Sequence, residues 1–153
     1  MNALELRIPP PAVAIAIALA MWGIASATTR LDLPADIRVA VAIALFLFGG
    51  GVALAGTIAF RRAKTTVNPM KPEATSCLVT AGIYRITRNP MYLGLLFVLV
   101  AWAIFLSAPW ALAGPAAFIA YMNRFQIVPE ERVLSSMFGA AYSDYKSRIR
   151  RWL

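Results

Sequence analysis

Four long apolar runs, separated by more polar segments, decide what this chain can fold into. They cover about residues 12–28, 37–60, 90–107 and 109–128. A helix needs roughly 20 apolar residues to cross the hydrocarbon core of a bilayer, and each run is close to that length. The chain is 60% hydrophobic and 14% charged, whereas soluble domains are about half apolar and about a quarter charged. The pattern predicts an all-α integral membrane protein, a single domain over residues 1–153 with about four transmembrane helices.

The second and third runs contain residues that favour close helix packing. Gly49-Gly50-Gly51 and Gly56 lie inside the second run, and small residues let membrane helices approach each other closely. The third run begins at Pro90, a residue suited to the first turn of a helix. Only a residue or two separates the third run from the fourth, which predicts a tight antiparallel helical hairpin. The glycine-rich run also offers a packing face for a homodimer.

The formal net charge of +8 is carried beside the apolar runs. Lys and Arg are concentrated in the loop 61–89 and in the tail, whereas the loop between the first two runs is balanced and the hairpin tip is uncharged. Cytoplasmic loops are enriched in Lys and Arg, so both termini and the loop 61–89 are expected on the cytoplasmic side of a bacterial inner membrane. Charges that flank spans fit anionic lipid headgroups and argue against nucleic-acid binding.

The chain contains no histidine and a single cysteine, Cys77. The commonest general base and the commonest transition-metal ligand are therefore missing, and no metal site is expected. An internal disulfide cannot form. Since no histidine can activate it, Cys77 is interpreted as an apolar pocket residue and not as a nucleophile.

Two polar segments lie where apolar runs meet the cytoplasm. Arg85 and Arg88 precede the third run, and the backbone N–H groups near Asn89 are suited to bind a carboxylate; the alternative is that these arginines anchor the span at lipid phosphates. Glu130-Glu131 closes the fourth run. Paired carboxylates are costly at this depth unless they are neutralised. Three roles stay open for them: an internal ion pair, recognition of a ligand amine or hydroxyl, or a contribution to a helix N-terminus.

The loop and the tail are both expected to fold over the cytoplasmic end of the spans. The loop is too long for a simple connector and is rich in turn-forming residues, which predicts a compact lid. The tail predicts a helix over about 130–152 that lies along the membrane interface or caps the protein. Its apolar and aromatic face comprises Leu134, Phe138, Tyr142, Tyr145, Ile149 and Trp152.

The polar segments carry a family resemblance. Residues 82–94, which read GIYRITRNPMYLG, resemble the G-x-Y-x-x-x-R-[HN]-P-x-Y-x-G signature of the isoprenylcysteine carboxyl methyltransferase and phospholipid methyltransferase superfamily. The tail, with Glu130-Glu131, FGAAYSDY at 138–145 and Arg151-Trp152, resembles the end of the same superfamily. Order, spacing and the intervening hairpin agree from about Thr65 to Leu153. The first two spans carry no motif.

The resemblance implies S-adenosyl-L-methionine as the cofactor, in a cytoplasmic pocket built from the loop, the start of the third span and the tail. In this pocket Tyr84 would pack on the cofactor, and Glu130 would hold one of its polar groups. Carried over by position, the cofactor-binding residues are Ser76, Cys77, Leu78, Val79, Tyr84, Asn89, Pro90, Met91, Tyr92 and Glu130.

The resemblance also implies methyl transfer to a lipophilic or small acceptor. Glu130, Glu131 and Arg88 would be the catalytic residues, and Arg124 and Gln126 would lie beside the acceptor. The carboxyl methyltransferases of the superfamily have a histidine at the position of Asn89 and an arginine at that of Gln126. A lipid amine, a lipid carboxylate, an isoprenoid and a small thiol all stay open as acceptors.

Methyl transfer from a sulfonium requires alignment and exclusion of water, and its leaving group needs no proton. The absence of histidine is therefore no obstacle. The alternative from another class is a catalytically inactive membrane scaffold or small-molecule-binding protein that keeps the fold. A transporter is disfavoured, because the four spans contain no charged residue near the bilayer centre.

Overall fold

The computed structural model describes residues 5–64 and 72–153, and the described residues form helices and loops without strands. The all-helical prediction is confirmed. The helices are α1 (Pro10–Ala27), α2 (Ala35–Arg62), α3 (Pro90–Leu106), α4 (Ala113–Tyr121) and α5 (Val128–Arg148). Short 3₁₀ turns cover Pro72–Ala74, Gly82–Arg85 and Pro109–Leu112, and a π-helix over Met122–Ile127 joins α4 to α5.

The first three helices match the first three predicted spans to within two residues at each end. Among the described residues, α1 and α2 are long and apolar enough to cross a membrane, and α3 is a shorter apolar helix of 17 residues. Large apolar side chains on α1 and α2 are exposed, including Ile15, Leu19, Phe46 and Leu47. A surface of this kind is unfavourable in water and suits contact with lipid. The fold is that of a helical membrane protein.

Glycine allows α2 and α3 to pack backbone against backbone. A Cβ atom on Gly94 would lie 2.5 Å from the carbonyl oxygen of Gly49 and 2.7 Å from Cβ of Ala53. A Cβ atom on Gly56 would lie 3.0 Å from Pro90, at the start of α3. Side chains larger than hydrogen would force the helices apart, as the small residues of the second run predict. Gly50 faces open space instead.

The turn after α3 is short. Ser107 ends the helix in the left-handed conformation, with φ 54°, and its N–H donates to the carbonyl of Ala103. Only Ser107 and Ala108 separate α3 from the 3₁₀ turn that begins at Pro109. The connection is as short as the predicted hairpin requires.

The fourth apolar run differs from a single regular span, because it combines a 3₁₀ turn, α4 and the π-helix before α5 begins. Pro129 has no N–H and cannot donate to the carbonyl of Phe125 four residues earlier. The N–H of Leu6 donates to that carbonyl instead, at 3.1 Å. Glu5 forms an ion pair with Arg124 at 3.3 Å. The N-terminal segment thus satisfies the backbone where proline interrupts the helix.

The tail differs from the predicted helix over 130–152. The helix α5 is kinked at Gly139, with φ 49° and ψ −122°, and it ends at Arg148. Glycine adopts a positive φ without steric cost, so the break falls at this residue. Beyond the kink, Tyr142 and Tyr145 are buried against Tyr84 in the loop. Residues 65–71, part of the predicted lid, lie outside the described residues.

Candidate functional site

A cleft of about 790 Å³, counting the space open to solvent at its mouth, lies between the loop, the first turn of α3 and α5. Ligand pockets typically have apolar walls and a few convergent polar groups. The apolar wall here includes Phe60, Leu78, Val79 and Leu134. The polar groups are contributed by Arg88, Asn89, Tyr92, Glu130 and Glu131.

The aromatic side of the cleft is fixed by contacts between the loop and the tail. Tyr145 donates a hydrogen bond to the main-chain oxygen of Tyr84 at 2.7 Å. The ring of Phe60 meets the ring of Tyr84 edge to face, with 5.4 Å between centroids. Burial raises the pKa of Tyr84 and of Tyr145 above the ordinary value, and raises that of Tyr142 to about 12. All three phenols are therefore neutral at physiological pH.

The start of α3 is held by the residues just before it. Asn89 has a non-helical backbone, and its carbonyl accepts the hydrogen bond from the N–H of Leu93 at 2.9 Å. The N–H of Asn89 donates to Oγ1 of Thr87 at 3.2 Å, and its side-chain Nδ2 donates to the main-chain oxygen of Arg151 at 2.9 Å. Asn89 lines the cleft, and its side-chain nitrogen Nδ2 is occupied by the main chain of Arg151.

Glu130 joins the tail to the signature residues at the start of α3, since Tyr92 donates a hydrogen bond to its Oε1. Gln126 donates to the same oxygen at 3.3 Å. Burial raises the pKa of the Glu130 carboxyl to about 7, against the lowering effect of these two hydrogen bonds. The group can therefore gain or lose a proton near neutral pH.

Glu131 lies beside Glu130 and is paired with two arginines. Nη2 of Arg88 lies 3.1 Å from Oε1 of Glu131. Arg151 donates from Nε to Oε1 at 3.1 Å and from Nη2 to Oε2 at 2.8 Å, which is a bidentate ion pair. Of the three roles left open for the carboxylate pair, the internal ion pair describes Glu131. The side chain of Arg88 also lines the cleft.

Most predicted site residues are brought together in this cleft. Those that line it are Cys77, Leu78, Val79, Tyr84, Arg88, Asn89, Met91, Tyr92, Glu130 and Glu131. Four others do not line it: Ser76, Pro90, Arg124 and Gln126. Pro90 contacts Gly56 on α2, Arg124 pairs with Glu5 away from the cleft, and Gln126 is buried behind Glu130.

Several lining residues were not predicted as site residues: Phe60, Pro72, Thr75, Leu134, Tyr142 and Tyr145. The period of three and four residues in the tail singled out Leu134, Tyr142 and Tyr145 as one apolar face. These three residues of the face line the cleft. Phe60 ends the second apolar run, and no local signal distinguishes it from a lipid-facing residue.

The comparisons with known proteins show the family of this helical protein. Residues 37–141 match the family described as "Phospholipid methyltransferase". This match covers more than half of the chain and runs from the start of α2 into α5. The chain therefore belongs to the phospholipid methyltransferase family, and the superfamily expected from the sequence is confirmed.

Two curated relatives share parts of the chain. A Haemophilus influenzae protein described as "Uncharacterized protein" is 48% identical over 63 residues, which is 41% of this chain and the whole of that protein. "Protein-S-isoprenylcysteine O-methyltransferase B" of Arabidopsis thaliana is 33% identical over 91 residues, 58% of this chain and 45% of that protein. No solved structure matches the chain. The family match and the Arabidopsis thaliana relative together suggest membrane methyltransferase activity.

Proposed function

We propose that the protein is an S-adenosyl-L-methionine-dependent methyltransferase (EC 2.1.1 type) that acts on a lipophilic or small acceptor at the cytoplasmic face of a membrane. One observation carries this proposal. Residues of the loop and of the start of α3, between 77 and 92, line a single cleft together with Glu130 of the tail. The hairpin separates these two groups in the sequence. Family membership supports the same reaction class.

The chemistry of the cleft fits the parts of this cofactor. Leu78, Val79 and Tyr84 form an apolar wall against which an adenosine ring can pack. The Glu130 carboxylate suits the cofactor's ammonium group. Nε and Nη1 of Arg88 are buried and have no hydrogen-bond partner among the described residues. A buried cationic group with unused N–H donors suits a carboxylate, and the amino-acid end of the cofactor provides one.

When bound, S-adenosylmethionine supplies a methyl group on a cationic sulfur, and the departing thioether needs no proton. The residues of the cleft bind, orient and exclude water. Glu130 and Arg88 hold the amino-acid end, and the Tyr84 side of the cleft closes off solvent. Glu131 acts through Arg88, which it contacts at 3.1 Å. If the acceptor is an amine or a neutral thiol, Glu130, Glu131 or a tyrosine takes its proton, or the acceptor arrives deprotonated.

The apolar surface of the helices offers a groove that suits a lipophilic molecule. An apolar groove of about 1330 Å³, open along its length, lies between α1, α2 and α3. Its lining includes Ile15, Phe46, Leu99 and Trp102, with no charged side chain among the described lining residues. Among the described residues, the groove shares no lining residue with the cleft, so lateral entry of the acceptor from the bilayer, with the cofactor entering from the cytoplasm, is proposed from the lipophilic class of acceptor alone. Arg124 and Gln126 are proposed beside the acceptor on the family resemblance alone.

We infer a four-span topology with both termini and the cleft in the cytoplasm of a bacterium. The basic residues of the loop and the tail support this orientation, which requires an even number of spans. The inner membrane of a bacterium is part of this proposal, and one relative is a bacterial protein, from Haemophilus influenzae.

Methyl transfer from tritiated S-adenosylmethionine tests the proposal, with the protein in nanodiscs made from a bacterial lipid extract. Label is expected in the extracted lipid with the wild-type protein and is lost with Glu130→Ala. Asp144→Ala removes an exposed carboxylate on the same helix and should keep the activity. Absence of both label and cofactor binding in folded protein would contradict the proposal and favour the inactive scaffold.

A further inference from the structure

The last residues of the chain form a strap, residues 149–153, that is bound to the start of α3. The N–H of Arg88 donates to the carbonyl of Arg150 at 3.1 Å. The carbonyl of Arg151 accepts from Nδ2 of Asn89 at 2.9 Å and from Oγ1 of Thr87 at 3.3 Å. These contacts use the main chain of the strap, so they hold it in place whatever the side chain at position 151.

The side chain of Arg151 has a separate partner, Glu131. It occupies both carboxylate oxygens, at 3.1 and 2.8 Å, in the parallel geometry that makes arginine–carboxylate pairs strong. This hydrogen-bonded pair raises the pKa of Arg151. Arg88 reaches the same carboxylate through one nitrogen, Nη2, at 3.1 Å. Glu131 is therefore shared unequally between two arginines.

This unequal sharing determines what Arg88 can bind. Its side chain is 10% exposed and lines the cleft, and its Nε and Nη1 have no partner among the described residues. The hydroxyl of Tyr142 also interacts with the Arg88 guanidinium, and Nε and Nη1 still have no hydrogen-bond partner among the described residues. Without Arg151, the only ion-pair partner of Glu131 among the described residues would be Arg88, whose guanidinium has further N–H groups to offer. The two would then form their own bidentate pair.

We propose that Arg151 is a positioning residue: it engages Glu131 and thereby keeps two N–H groups of Arg88 available for the carboxylate of the cofactor's amino-acid end. The inference rests on the proposed cofactor site. Arg151 touches neither the cofactor nor the acceptor in this account and acts only through Glu131 and Arg88. The backbone hydrogen bonds of the strap form without the Arg151 side chain, so this positioning role is separate from holding the strap in place.

Calorimetric titration of the detergent-purified protein separates this role from a structural one. Arg151→Ala is expected to weaken binding of S-adenosylhomocysteine by about tenfold or more, which is the effect of losing a charged hydrogen bond. Binding of 5′-methylthioadenosine, which lacks the carboxylate, should change less than twofold. The matched control is Arg150→Ala, because Arg150 is exposed and its removal changes the net charge equally. Arg151→Lys should recover part of the affinity.

A second substitution gives the sharper test. If Arg151 acts by neutralising Glu131, then Glu131→Gln in the Arg151→Ala background removes the competing charge and should restore affinity for S-adenosylhomocysteine. Three results would overturn the inference: unchanged affinity in Arg151→Ala, equal losses for the two ligands, or no recovery in the double variant. Wild-type protein that binds neither ligand would contradict the proposed function as well.

Discussion

The hydroxyl of Tyr92 donates a hydrogen bond to Oε1 of Glu130, a residue 38 positions further along the chain. This contact joins the first turn of α3 to the first turn of α5. It is one of the contacts at which the signature residues 82–94 and the tail meet directly, as Arg88 and Glu131 also do. Since Gln126 donates to the same oxygen, the orientation of Glu130 is set by residues on two elements.

The Tyr92 hydroxyl is predicted to control the proton affinity of Glu130. Its hydrogen bond lowers the pKa of that carboxyl, so Tyr92→Phe should raise it above about 7. If the ionised carboxylate holds the cofactor's ammonium group, affinity for S-adenosylhomocysteine increases as pH rises through the pKa of Glu130. Titrations from pH 6 to 9 should then show a midpoint at higher pH in Tyr92→Phe. An unchanged midpoint would show that this hydrogen bond does not control the pKa of Glu130.

The buried carboxyl of Glu130 should also make stability depend on pH. Its pKa is raised from 4.5 to about 7 in the folded protein. Between these values the folded state keeps a proton that the unfolded state has released. The free energy of unfolding that the raised pKa contributes is therefore full below about pH 4.5 and is lost as pH rises through about 7. The gradient is at most about 1.4 kcal/mol per pH unit. Thermal unfolding midpoints should fall over this window, and less so in Glu130→Gln. Parallel pH profiles for the two proteins would refute the assignment.

The contact between α2 and α3 predicts unequal costs for two glycine substitutions. Gly94→Ala places a methyl group 2.5 Å from the carbonyl of Gly49, and overpacking of this kind costs about 1–3 kcal/mol. Gly50→Ala, on the open side of α2, meets nothing within 4 Å and should be neutral. Thermal unfolding in detergent is expected to show a midpoint several degrees lower for Gly94→Ala alone. Equal midpoints would mean that the two helices do not pack as described.

The hydrogen bond from Tyr145 to the Tyr84 carbonyl should tie the loop to the tail. Tyr145→Phe leaves that buried carbonyl without its donor, at a cost of about 1–3 kcal/mol. Hydrogen exchange of the amides in 82–88 should become faster, and affinity for S-adenosylhomocysteine should fall. Tyr121→Phe is the matched control, because the buried Tyr121 hydroxyl has no partner among the described residues. If Tyr121→Phe changed hydrogen exchange and affinity as much as Tyr145→Phe, the effect would come from removing any tyrosine hydroxyl and not from the contact with Tyr84.

The sequence predicted the helices well where hydrophobicity alone decides them. The bounds of α1, α2 and α3 follow from apolar runs that end at charged or proline residues. The packing role of Gly49 was also predictable, since small residues are the usual contact in membrane helices. The site residues of the signature could be named because their spacing resembles a family, and most of them line the cleft.

The remaining features depend on contacts between distant parts of the chain. No local pattern indicates that Leu6 takes over the carbonyl that Pro129 leaves without a donor. The kink at Gly139 could not be told from an ordinary helical glycine, because its positive φ is required only by how the tail docks on the loop. The bidentate pair between Arg151 and Glu131 likewise depends on the path of the strap.

Calorimetric titration of the wild-type protein with S-adenosylhomocysteine tests the central claim most directly, in detergent and in lipid nanodiscs. The expected result is one binding site per chain with micromolar affinity. Binding should be lost in Glu130→Ala and kept in Asp144→Ala. Absence of binding to folded protein in both environments, or equal binding by Glu130→Ala, would contradict the assignment of the cleft as a cofactor site.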